Sequence, residues 1–65
     1  GIEKGKIIAN QETLIKFLKT KFNNATITEN DVEFIRNVND IDKLRNALEA
    51  ILSAGNKETV LDKLK

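Results

Sequence analysis

The chain has 65 residues, with 11 lysines and arginines against 10 acids and a formal net charge of +1. So even a balance supplies no long-range field toward nucleic acid or an anionic membrane. The absence of Cys and His excludes disulfides, thiolate or imidazole zinc sites, and histidine acid–base chemistry.

One domain is what this length permits, and a chain this short buries only about 60% of the surface it exposes when unfolded. A single core of that size supplies at most ~3–5 kcal/mol, so small domains add disulfides, a metal or oligomerisation. Without Cys or His, and with none of the three glycines in an EF-hand loop, oligomerisation is the expected supplement. No apolar run approaches the roughly 20 residues that span a bilayer, and no signal-peptide core stands at the N-terminus. The expected location is the cytoplasm, with no membrane partner. Gly1 has two readings, the scar of a removed tag or the edge of a fragment.

Proline is absent and helix formers dominate outside a few Asn-rich stretches, which predicts an all-α fold of about four helices. The first runs from about Ile2 to Phe22. Ile7, Gln11, Leu14, Leu18 and Lys21 follow a 4-3-4-3 spacing, and Ile8, Ile15 and Phe22 recur every seven residues beside them. A helix of that length is roughly 30 Å long, more than three shorter helices cover, so its N-terminal half is expected to meet a partner. Asn10 and Gln11 either fix register in such a helix pair or mark the exposed edge of the stripe. Gly1 and Gly5 weaken the helix start, as close-packing positions or as a frayed terminus.

Asn23 and Asn24 are expected to end this helix, because Asn tolerates positive φ. The remainder, residues 28–64, forms a compact three-helix part. Thr28 is a predicted N-cap with Asp31 as its capping-box acid and Ile27 stapled to Val32. The second helix covers about Glu29 to Asn37, with Val32, Ile35 and Phe34 turned inward. Asn39 or Asp40 caps the third, whose inner face is Ile41, Leu44, Leu48, Ile51 and Leu52, with Gly55 as its C-terminal stop. Asn56 caps a last helix over about Lys57 to Leu64, with Val60, Leu61 and Leu64 inward.

Chemistry is scarce along this chain. Glu29, Asp31, Asp40 and Asp42 sit where helices start and are accounted for by capping and the helix dipole. Ser53 and the threonines have no His to activate them, so no catalytic residue, metal ligand or cofactor-binding residue is assigned and an enzyme is not expected. Lys16, Lys19 and Lys21 on the outer side of the first helix, with Lys43 and Arg45 on the third, are either solvated faces or a phosphate-binding surface. The three phenylalanines fall at apolar-face positions, which leaves no aromatic interleaved with these cations for base stacking. The second and third helices also have the order of a helix-turn-helix, although Arg45 and Asn46 are its only candidate base readers. The expected interface is the stripe Ile7, Ile8, Gln11, Leu14, Ile15 and Leu18. The alternative, nucleic-acid binding, rests on Lys16, Lys19 and Arg45.

These residues also carry a resemblance. Gly1 to Lys6 is similar to the Gly-Ile-Glu-Lys-Gly-Lys repeats found in C-terminal tails of the recombination-promoting nuclease (Rpn) family, PD-(D/E)XK transposase-like proteins. The rest of the chain resembles the small domain of those tails: Leu14, Leu18 and Phe22, an Asn-rich break, Ile35, Leu44 to Leu52, and a closing Val60-Leu61. The family's frequent Arg-Phe-Gly break stands here as Lys21-Phe22-Asn23, which departs from it. No nuclease motif is present, so the resemblance implies a non-catalytic part. In that family the C-terminal region is also made as a separate short protein, which implies a regulator that binds the full-length nuclease and restrains it. The alternatives are a DNA-binding accessory module of a nuclease or transposase, and a scaffold domain without an outside partner.

Overall fold

The computed structural model describes residues 2–65, with side chains from residue 4 onward, so the expectations on Gly1 lie outside the described residues. It is all-α: α1 (Ile2–Phe22), α2 (Glu29–Arg36), α3 (Ile41–Ala50) and α4 (Lys57–Asp62), with one 3-10 turn over Asn24–Thr26 between α1 and α2. The long first helix is present as the spacing predicts. It packs chiefly on α3, with α2 and the 3-10 turn beside it, and α4 lies on α3. Lys6 and Ile7 of α1 stand beside Ile41, and Thr20 and Lys21 stand beside Ile51, so α1 and α3 run in the same direction.

Each boundary has a local cause. Asn23 breaks α1 at φ 78° and ψ 131°, and its side chain accepts the Ala25 N–H at 3.1 Å. Thr28 and Asp31 form the reciprocal capping box, the Asp31 N–H donating to the Thr28 hydroxyl at 3.2 Å and the Thr28 N–H to the Asp31 carboxylate at 3.1 Å. Asp40, rather than Asn39, caps α3 by accepting from the N–H groups of Asp42 and Lys43. Asn56 caps α4 through the Thr59 N–H. Two boundaries differ from expectation. α3 stops at Ala50, ahead of Gly55, because Leu52 and Ser53 switch to i→i−3 hydrogen bonds with Glu49 and Ala50. The same tightening, at Lys63 and Leu64, ends α4 at Asp62.

The core is one cluster in which Leu14, Leu18, Ile35, Leu44, Ala47 and Val60 are fully buried, closed by Ile15, Ile27, Ile51, Ala54, Leu61 and Leu64. At ~25 cal/mol per Å², burial of these side chains is the main favourable contribution to folding. Three apolar residues expected inside are not. Leu52 is 83% exposed because α3 ends before its turn could bring it inward, Phe34 is 38% exposed and Phe17 is 45% exposed. Phe22 is half-buried beside the core and lies 5.7 Å beneath the Lys21 ammonium.

Candidate interaction surface

The predicted stripe of α1 divides into two parts. Leu14, Ile15 and Leu18 are buried in the chain's own core, so a partner reaches them only if the bundle opens. Gln11 is buried too, and for a specific reason. Its Nε2 donates to the carbonyls of Val38 at 2.7 Å and Arg36 at 3.1 Å, two acceptors that the end of α2 leaves without intrahelical donors. Gln11 is thus not at an exposed edge of the stripe, and the amide that could have set register between chains ties α1 to α2 within one chain. Asn10 donates to the Lys6 carbonyl one turn back in its own helix.

What remains open lies toward the N-terminal half of α1. Ile7 is half-buried and Ile8 is 49% exposed. A Cβ placed on Gly5 would meet nothing within 4 Å, so close packing within this chain does not account for that glycine.

The seam between α1 and α3 is the second open surface. Lys6 and Asn10 of α1 stand with Ile41 and Arg45 of α3 at one end of it, and Phe17 of α1 stands with Leu52, two residues past the end of α3, at the other. At one end a groove of about 650 Å³ is lined by Lys6, Ile7, Asn10, Asp40, Ile41 and Arg45. At the other, Phe17 and Leu52 flank a notch of about 280 Å³ floored by Ile51, Thr20 and Lys21. The Lys21 ammonium donates to the Ile51 carbonyl there, closing the C-terminal end of α3.

The three nucleic-acid candidates are not brought together. Arg45 lies across the seam from Lys6, whereas Lys16 sits ten residues further along α1, about 15 Å at helical rise, and Lys16 and Lys19 are spaced off the seam. The outward face of α3 consists of Asp42, Arg45, Asn46 and Glu49, all exposed. Two carboxylates there face any phosphate that the single arginine would attract.

One partly buried ion pair lies outside the expectations from sequence. Lys57 Nζ, at the first turn of α4, donates to the Asp31 carboxylate at 2.6 Å and to the Thr26 carbonyl at 2.8 Å, with both side chains 18% exposed. Burial pushes the Asp31 carboxyl up, but the Lys57 hydrogen bond, the Thr28 N–H and hydroxyl, and the ammonium charge outweigh it and hold the group below its usual value. Its place is structural, joining α4 to the start of α2. A carboxylate at a capping-box position and a lysine at another helix start are each legible in the sequence, but their meeting across 26 residues is not.

Among the described residues no three acidic side chains gather as a metal site, and no helix is long and apolar enough to cross a membrane. Fold and surface define a small all-α domain of four helices built on a long N-terminal one. No protein-family model, curated protein or solved structure matches the chain.

Proposed function

We propose that this chain is a non-catalytic protein-interaction domain of the cytoplasm that associates with copies of itself and captures a longer, nuclease-bearing protein of the Rpn type, restraining it. The observation that carries this reading is the continuation of the α1 stripe past the core: Ile7 half-buried and Ile8 exposed, both about one turn before the first buried residue, Gln11. Compared with the expected interface, the contact surface contracts to Ile7 and Ile8, since Gln11, Leu14, Ile15 and Leu18 already have partners within the chain.

At Asn23 the chain departs from the family's break. Where the family's break has Gly, this chain has its positive-φ residue, a backbone conformation that Gly adopts without strain. A nucleic-acid role has less to draw on, given the separated lysines and the acids beside Arg45.

The test is light scattering coupled to size-exclusion chromatography over a wide concentration range, for the wild type and Ile8→Asp. A species larger than a monomer that dissociates in the variant supports the reading. A monomer at every concentration removes its self-association half. Co-purification with a full-length family nuclease, and loss of its DNA cleavage on titration with this domain, tests the other half.

A further inference from the structure

We infer that two copies of this chain exchange α4, each placing its last helix in the seat that the other's α4 would fill, with the pivot at Gly55. The exchange uses no contact through Ile7 or Ile8, so it stands apart from the self-association proposed above and adds a second mode.

The chain divides at one residue. Hydrogen bonds run on past Ala50, from the Ile51 and Ala54 N–H groups to the Ala47 and Ala50 carbonyls, so the first unit ends at Ala54, which is buried in the core. The second begins at Asn56, whose side chain accepts from the Thr59 N–H and hydroxyl. The Asp62–Lys65 ion pair lies inside that unit too. Gly55 alone stands between them. It is exposed, and a Cβ placed there would meet nothing within 4 Å. Beside it a hollow of about 630 Å³, lined by Glu49, Ser53, Thr59 and Lys63 among others, leaves room for the connection to straighten.

What holds the second unit on the first does not depend on the connection. Val60, Leu61 and Leu64 are buried in the core, and among the described residues Lys57 makes the only polar contacts between the units, to Asp31 and Thr26. The α4 of a second copy carries the same four side chains, so it fills the seat with the same contacts. Exchange of an identical element is a low-cost route to a dimer, and a short connection favours it. From Ala54 to Lys57 the extended chain reaches at most about 11 Å, so the two copies meet hinge to hinge. The closed single chain prevails when dilute, and the exchanged pair grows with concentration.

The chain has no Cys, so single cysteines report the exchange. Asn30 on α2 and Glu58 on α4 are exposed and line the same hollow. Asn30→Cys and Glu58→Cys chains are mixed, held at high concentration and joined with a short bismaleimide. The expected product is a dimer linked from position 30 of one chain to position 58 of the other, at least about fivefold in excess of either like-with-like dimer. Inserting Gly-Ser-Gly after Gly55 in both chains should remove that excess, because a longer hinge lets each α4 return to its own seat. Circular dichroism checks that every variant keeps its helices. A random mixture of linked dimers, no linked dimer, or a mixed dimer indifferent to the insertion would overturn the proposal. Association through α1 brings no α4 onto another chain's α2, so Ile8→Asp should leave the mixed dimer in place. Its loss in that variant would overturn the exchange as a separate mode.

Discussion

Gln11 and Val38 are joined across 27 residues by a 2.7 Å hydrogen bond from a buried side-chain amide to a backbone carbonyl, with the Arg36 carbonyl taking the second contact. The bond completes the end of α2 from outside that helix. A buried acceptor stripped of its donor carries its desolvation cost. Gln11→Ala is therefore expected to lower stability by about 1–3 kcal/mol, read from urea unfolding with an unchanged slope. Gln11→Leu, which refills the space without the donor, should recover only part of the loss.

The two parts of the α1 stripe predict opposite responses to substitution. Leu14→Ala removes a fully buried side chain and should cost about 2–5 kcal/mol. Ile8→Ala, at a position half open to solvent, should stay within about 0.5 kcal/mol of wild type. Thermal unfolding at a fixed low concentration compares them without association intruding.

Asp31 makes stability depend on pH. Its folded-state carboxyl lies below the usual 3.8, so the unfolded chain takes up its proton first as pH falls. The contribution is complete above the unfolded value and is lost as pH drops through the lowered folded value. Unfolding measured from pH 6 downward should show stability falling below about pH 4, with part of that slope removed in Asp31→Asn and in Lys57→Met.

Asn23 tests backbone strain directly. A residue other than Gly at this φ and ψ costs of order 1–3 kcal/mol, offset in part by the hydrogen bond to Ala25. Asn23→Ala keeps the strain and loses the bond, so its melting temperature should drop. Asn23→Gly is expected to be at least as stable as wild type, and the opposite order would show that the side-chain bond dominates.

The local features of this fold are legible because they are written within a few residues: the Thr28–Asp31 box, the caps at Asp40 and Asn56, and the positive φ at Asn23 each need only neighbours. The 3.6-residue period likewise places Leu14, Leu18, Leu44 and Val60 inside. Periodicity does not say where a helix stops, so Leu52 has the spacing of a core residue although α3 ends two residues before it. Nor does it distinguish an apolar stripe that meets another helix of the same chain from one that meets a second molecule. Gln11, Leu14, Ile15 and Leu18 have the spacing of an interface and are consumed by the monomer. Likewise, nothing local relates Lys6 to Arg45 or Phe17 to Leu52, and only the packing of α1 on α3 brings the members of each pair together.

The link from Lys57 to Asp31 and Thr26 also bears on how firmly α4 is held. α4 has six residues, far fewer than the roughly 12–15 that hold a helix alone in water, and its first turn is fastened to the capped start of α2. α4 therefore owes its hold to packing on α3 and to this link to the start of α2, rather than to its own helical stability. Amide hydrogen exchange should report this as a gradient, with the α4 amides exchanging through a local opening of low free energy and those around Leu14, Leu18 and Ile35 only on global unfolding.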